Sequence, residues 1–194
     1  MLRLADAAFV AGAAQLADLP PDHGWEVAFT GRSNAGKSTA LNALTGKTGL
    51  ARVSKTPGRT QQLNVFALDA AHRLVDLPGY GYARAPEAVR AALGALVSAY
   101  LRRRRCLKAL VLLADIRRGL NDDDRALLTA RGDLSLLVLL SKADKVGRGE
   151  RARQTARVRE EAPQHARVLA FSAREREGIE IARAWVLGFL GETP

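Results

Sequence analysis

Cysteine is nearly missing from this chain: Cys106 is the only one in 194 residues. No internal disulfide can form, which excludes a disulfide-stapled secreted scaffold. The ordinary place for such a residue is as small apolar filler in a core. Long hydrophobic runs are also absent. The longest, Ala109–Ala114 and Leu136–Leu140, fall far short of the ~20 residues of a membrane helix. The Ala-rich start, residues 1–20, has Arg3 as its only basic residue and Asp6 within its apolar portion, which argues against a signal peptide. A cytosolic location is the simplest expectation. Aromatic residues make up only 5% of the chain. Acidic residues are short as well, 20 against 30 basic, for a net charge of +10. That excess points to a polyanionic partner such as nucleic acid. Lysine is scarce, six of the thirty basic residues. GC-rich coding accounts for arginine over lysine, but not for the surplus of positive charge.

A hydrophobic fraction of 47% is that of a globular chain rather than a disordered one. Its length suits one domain over residues 1–194, with 1–24 as an N-terminal extension packed on it. Strands are predicted at Val27–Thr30, Gln62–Leu68, Arg73–Asp76, Ala109–Ala114, Leu136–Leu140 and Val168–Ser172. Helices are predicted at Lys37–Leu44, Glu87–Arg104, Asp123–Arg131, Glu150–Glu161 and Ile179–Leu190. Their alternation argues an α/β fold with a mostly parallel sheet. The gap Asp69–His72 is too short for a helical crossover, so the two strands that flank it form an antiparallel hairpin.

The most informative stretch is Gly31-Arg32-Ser33-Asn34-Ala35-Gly36-Lys37-Ser38. It has the spacing of a phosphate-binding loop and stands between a predicted strand and a predicted helix. Glycines let backbone N–H groups curl around phosphates, and the helix N-terminus adds partial positive charge there. Lys37 is expected on the β- and γ-phosphates and Ser38 on Mg²⁺. Asp76-Leu77-Pro78-Gly79 follows one hairpin later. Asp76 is expected to hold Mg²⁺ through water, and the Gly79 N–H to contact a γ-phosphate. Ser141-Lys142-Ala143-Asp144 ends a later strand as a variant of the guanine motif. A carboxylate at Asp144 can accept two hydrogen bonds from guanine N1–H and N2–H₂, which adenine does not offer. Lys142 is expected to pack along the base and brace the phosphate loop. Phe171-Ser172-Ala173, after the last strand, is a weaker candidate for a loop that meets guanine O6. The polar loop from Thr45 to Thr60 carries the candidate switch threonines. Thr56 and Thr60 both qualify by position, and Thr60 is preferred as the Mg²⁺ ligand that senses the γ-phosphate.

Taken together, these residues resemble the EngB (YihA/YsxC) family of small bacterial GTPases, in the TrmE–Era–EngA-like branch. The matching text is the phosphate loop, then Ser54-Lys55-Thr56-Pro57-Gly58-Arg59-Thr60-Gln61, then Asp76-Leu77-Pro78-Gly79-Tyr80-Gly81-Tyr82-Ala83. The likeness runs from about Phe9 to Leu190. It departs at Ser141 and at Ile116-Arg117-Arg118-Gly119-Leu120. The resemblance implies a three-layer Ras-like domain with a six-stranded, mostly parallel sheet and one antiparallel strand. It implies GTP hydrolysis to GDP, with Lys37, Thr60 and Gly79 at the reacting phosphate and Gly58, Arg59, Gln61 and Gln62 among the nucleotide contacts. Mg²⁺ would be held by Ser38 and Thr60. The family's role is assembly of the large ribosomal subunit, and its loss disturbs division and septation. A monomer is expected.

Ras-like proteins place a Gln directly after D-x-x-G to orient the attacking water. Here the position is Tyr80, so slow intrinsic turnover is expected. Two explanations compete: the ribosome supplies a group in trans, or K⁺ supplies the missing charge. Asn34 matches the asparagine that ligates K⁺ in related GTPases. Three basic clusters stand out: Arg102-Arg103-Arg104-Arg105, Arg117-Arg118, and Arg148, Arg151, Arg153, Arg157 and Arg159. Each is either a solvated helix end or face, or an RNA contact. No aromatic residue interleaves them in sequence, so phosphate contact is expected over base stacking. The competing functions are a P-loop ATPase or small-molecule kinase, and an RNA- or membrane-associated switch unrelated to ribosomes.

Overall fold

The computed structural model describes residues 1–51, 62–81, 86–130 and 134–191. Seven strands form one sheet: β1 (Ala8–Ala13), β2 (Trp25–Gly31), β3 (Leu63–Ala67), β4 (His72–Asp76), β5 (Leu107–Asp115), β6 (Ser135–Ser141) and β7 (Arg167–Ala170). Their spatial order is β1-β3-β4-β2-β5-β6-β7. From β4 to β7 all neighbours are parallel. β3 runs antiparallel to β4, as the short Asp69–His72 gap requires.

The six-stranded, one-antiparallel-strand expectation is corrected by β1. This strand lies in the segment taken for a packed extension and runs antiparallel to β3, from Ala8 opposite Ala67 to Ala13 opposite Leu63. Its composition, Ala-Phe-Val-Ala-Gly-Ala, has little of the β-branched and aromatic content that marks a strand. Pairing with the free edge of β3 makes it one. Lys47 ties the same segment down from the other side, its Nζ donating to the Ala7 carbonyl at 2.6 Å.

Five helices cover the two faces: α1 (Lys37–Thr45), α2 (Glu87–Arg103), α3 (Asp122–Thr129), α4 (Arg148–Glu161) and α5 (Ile179–Phe189). Side chains alternate across each strand. Val27 and Phe29 of β2 therefore join Leu41 and Leu44 of α1 and Val186 of α5, whereas Ala28 joins Tyr100 of α2, Leu128 of α3 and Val158 of α4. Two apolar cores result, one per face, in a three-layer α/β/α stack. The central strands β5 and β6 are apolar almost throughout because both of their faces are buried.

At the amino ends of β2 and β5 the core contains a charge. Glu26 is wholly buried and accepts from Arg73 Nε at 2.9 Å, Arg104 Nη2 at 2.7 Å and the Tyr100 hydroxyl at 2.9 Å. Burial pushes the Glu26 carboxyl up. Arg104, Tyr100 and Arg73 together outweigh it and hold the group below its usual range. Arg104 also donates to the Pro20 carbonyl at 2.8 Å, and Arg73 to that of His23, so the hub fastens the segment before β2 to the sheet. Cys106 is buried beside it, and burial raises its thiol to about 12, which suits the filler role.

Candidate guanine-nucleotide site

The chain places its phosphate loop between β2 and α1. Asn34 and Gly36 both adopt left-handed backbone, φ 64° and 93°. These turns curl the loop back on itself and leave Gly36 as the N-cap of α1. Gly31 is required for another reason: a Cβ there would stand 2.5 Å from the Leu113 carbonyl oxygen of β5. The first turn of α1 presents N–H groups that have no partner within the helix. Its first residue, Lys37, extends its ammonium to the carboxylate of Asp76 at the end of β4. Ser38 follows on the same turn, and its hydroxyl is bonded to no described residue.

The D-x-x-G stretch is anchored at both ends. The Leu77 N–H donates to the Phe29 carbonyl at 2.9 Å, and the Ser33 N–H of the phosphate loop donates to the Tyr80 carbonyl at 2.8 Å. Leu77 is fully buried. Pro78 and Gly79 line a cavity of about 460 Å³ between α2 and α3. The Tyr80 hydroxyl donates to Asp124 of α3. Burial raises both groups, and for the phenol the facing carboxylate adds to it. Asp124 is the acidic member of a capping box with Asn121, whose N–H it accepts at 2.9 Å.

The elements expected to bind the base converge on the same edge. Ser141 ends β6, and its Oγ donates to the Ala35 carbonyl of the phosphate loop at 2.5 Å. The family departure at this position thus keeps a hydroxyl that holds the loop. Lys142, in left-handed backbone, donates from Nζ to the Asn34 carbonyl at 2.7 Å and to Asp115 Oδ2 at 3.0 Å. Its ammonium thus joins the turn after β6 to the phosphate loop. Asp144 accepts from Ser172 Oγ at 2.9 Å, and the Ala143 N–H donates to the Phe171 carbonyl at 3.1 Å. The weak Phe171-Ser172-Ala173 candidate is therefore joined to the guanine motif directly. Burial raises the Asp144 carboxyl, but Ser172 and Lys145 outweigh it and keep it low, as an acceptor for guanine N–H groups requires.

Two contributors escaped the sequence reading. Asp115, at the end of β5, accepts from Lys142 and from Arg117 Nη2 at 2.7 Å. Burial opposes its ionisation, but these partners hold it well below the usual carboxylate range. Its position at a strand's carboxyl end was the available signal. Asp124 had none, because only packing brings α3 against Tyr80. Of the remaining predicted contacts, Gly58, Arg59, Thr60 and Gln61 lie outside the described residues. Gln62 is described, and its amide donates to Asn64 Oδ1 at 3.3 Å beside Gly12 of β1. No described contact joins it to the phosphate loop.

Residues 26–142 match the family described as "50S ribosome-binding GTPase". A probable GTP-binding protein EngB of Nitrosococcus oceani is 51% identical over 183 residues, covering 91% of this chain and 90% of that one. The probable EngB of Mannheimia succiniciproducens is 48% identical over 177 residues, covering 89% and 86%. Among solved structures, a probable GTP-binding protein engB superposes with a TM-score of 0.70 at 23% identity, over 87% of this chain and 100% of that one.

Proposed function

From a chain that belongs to the EngB family of GTP-binding proteins, and is a P-loop GTPase, we propose a nucleotide-dependent switch in assembly of the large ribosomal subunit. The observation that carries the nucleotide half is the convergence of Lys37, Asp76, Ser141, Lys142, Asp144 and Ser172 on one edge of the sheet. The carboxyl edge of a parallel sheet is where this class of fold binds its ligands. The ribosomal half is supported by the family match and the net charge of +10.

In this reading Lys37 moves from Asp76 to the β- and γ-phosphates while the amides of Asn34 to Ser38 enclose them. Asp144 selects guanine, and Lys142 holds the base turn and the phosphate loop at a constant separation. Mg²⁺ fits the donors present, because the Ser38 hydroxyl is a hard oxygen ligand and the Asp76 carboxylate beside it would hold the ion through water. When bound, the ion would neutralise charge that develops on the phosphates, and Thr60 would complete its ligands. The Tyr80 phenol is turned to Asp124, so the chain presents no glutamine-like amide after Gly79. Intrinsic hydrolysis is accordingly slow, and either the ribosome or K⁺ at Asn34 accelerates it. The protein acts as a cytoplasmic monomer, and its loss disturbs division through the ribosome supply. No helix among the described residues is long and apolar enough to cross a membrane.

The test is cosedimentation of the purified protein with large ribosomal subunits in the presence of a GTP analogue or GDP. Retention with the analogue and release with GDP is expected. Equal absence from the subunit fraction in both would remove the ribosomal role. Turnover measured in K⁺ and in Na⁺ separates the two routes of activation.

A further inference from the structure

The arginines of this chain divide into those answered by carboxylates and those that are not. On α4, Arg151 bonds Glu177 at 2.5 Å, Arg157 bonds Glu161 at 2.9 Å, and Arg153 pairs with Glu150. Arg117 is held by Asp115. Four of the seven arginines in those two clusters are therefore paired within the fold, and Arg118, Arg148 and Arg159 are exposed without a carboxylate partner among the described residues. The Arg102–Arg105 run differs. Arg104 is buried on Glu26, which pins the backbone of the run. Arg102, Arg103 and Arg105 on either side of it are exposed, and no carboxylate among the described residues pairs with them. Asp22, close by, is committed to the N–H groups of Arg105 and Cys106 at 3.1 and 2.9 Å.

The fold adds an aromatic ring that the sequence order conceals. β2 and β5 are neighbours, with Glu26 opposite Leu107. Trp25 therefore comes beside the opening of β5, eighty positions from Arg105. Lys108 Nζ lies 5.2 Å from the Trp25 ring centroid and 3.4 Å from the Arg105 carbonyl oxygen, linking ring and run. Trp25 is 41% exposed. The other tryptophan, Trp185, stacks on Phe189 with centroids 4.6 Å apart. Aromatic and cationic groups that are far apart in sequence are thus interleaved in space at this end of the sheet.

We infer that this end of the sheet is a contact for single-stranded RNA: a base stacks on Trp25, and its phosphates lie on Arg102, Arg103, Arg105 and Lys108. Guanidinium forks match phosphate oxygens in pairs, and a half-exposed indole is a sequence-tolerant stacking platform. An acidic protein segment would use the cations and leave the ring unused. Trp25 and Gly31 are the first and last residues of β2, and six strand steps of ~3.3 Å put the surface roughly 20 Å from the phosphate loop. RNA and GTP can therefore bind together. The identity of the RNA as ribosomal rests on the function proposed above, but the contact itself does not.

The experiment uses the full chain carrying Trp185→Phe, so that Trp25 is the only indole emitter, with a twelve-nucleotide oligouridylate as probe. Saturating RNA is expected to quench Trp25 emission. Trp25→Ala, and separately the triple Arg102→Glu/Arg103→Glu/Arg105→Glu, should weaken binding at least tenfold while GDP affinity stays within twofold. GDP binding also shows that the variants are folded. The slope of log affinity against log salt should fall by about two in the triple variant, near 0.7 per lost phosphate contact. Unchanged RNA affinity in both variants, or unquenched Trp25, overturns the inference. So does a polyglutamate peptide that binds and quenches as well as RNA. Should the wild type bind oligouridylate yet never cosediment with large subunits, the ribosomal reading fails and the surface stands. Should subunit association persist while the variants bind RNA normally, only the surface fails.

Discussion

The Lys142 ammonium lies 2.7 Å from the Asn34 carbonyl oxygen, 108 positions earlier in the chain. One side chain thus fastens the turn after β6 to the loop between β2 and α1. Its second bond, to Asp115, is charge-assisted and fixes the direction of the stem.

Lys142→Ala removes both bonds. Hydrogen bonds of charged groups contribute about 1.5–3 kcal/mol, so GDP is expected to bind roughly ten- to a hundredfold more weakly. Titration with a fluorescent GDP analogue measures this. Affinity equal to wild type would show that the brace is idle.

Asp144→Asn exchanges an acceptor for a donor at the guanine N1–H. Preference should pass from guanosine to xanthosine nucleotides, measured by competition between GDP and XDP. Ser172→Ala removes the hydroxyl that orients Asp144 and should cost about 1 kcal/mol of GDP binding, without changing base preference. A variant Asp144→Asn that still chooses GDP would place base recognition elsewhere.

Tyr80→Phe tests where the phenol acts. Its hydroxyl satisfies one oxygen of the buried Asp124, whose other oxygen keeps the Asn121 N–H, and leaving a buried oxygen without a donor costs about 1–3 kcal/mol. Urea unfolding should register that loss, while single-turnover GTP hydrolysis stays within about threefold of wild type, under 0.7 kcal/mol of barrier. Abolished hydrolysis with unchanged stability would put the phenol in the chemistry.

Glu26→Gln leaves the buried guanidinium of Arg73 without its counter-charge and that of Arg104 with only Asp22, at 3.7 Å. Removing one partner of such a buried set is expected to cost about 3–5 kcal/mol, read as a lower urea midpoint. A midpoint unchanged within error would show that the hub contributes nothing net.

Acid should act on the same end of the molecule. Burial raises Asp22, but the N–H groups of Cys106 and Arg105 and the charge of Arg104 outweigh it and lower the group from 3.8 to about 2. A depressed folded value contributes stability above the unfolded value that is lost as pH falls through the folded one. The urea midpoint of wild type should therefore drop between about pH 4 and pH 2, and Asp22→Asn should flatten the drop. An equal slope in the variant would refute the assignment. Glu26 is lowered in the same sense and adds to the wild-type slope.

Local chemistry explains why much of the site was legible. Gly31, Gly36, Lys37 and Ser38 are close in sequence because one turn must enclose a phosphate chain, and Ser141 to Asp144 because one turn must face a base. Strands β5 and β6 were visible as unbroken apolar runs. β1 was not, since only Phe9 and Val10 of its six residues carry a strand signal and the open edge of β3 recruits the rest. The Arg151, Arg153 and Arg157 cluster looked free for the same kind of reason: Glu177 and Glu161 meet it only through packing and helix spacing.

The sequence by itself determined the phosphate loop, the guanine motif, the alternation of strands and helices and the surplus of positive charge. Each depends on residues within a few positions of one another, where backbone geometry alone sets what they can do. Tertiary structure decided which of the separated parts touch: Tyr80 with Asp124, Glu26 with Arg73 and Arg104, and Trp25 with Lys108. Those contacts depend on strand order and on which face each helix covers, and a linear pattern of side chains does not specify either one.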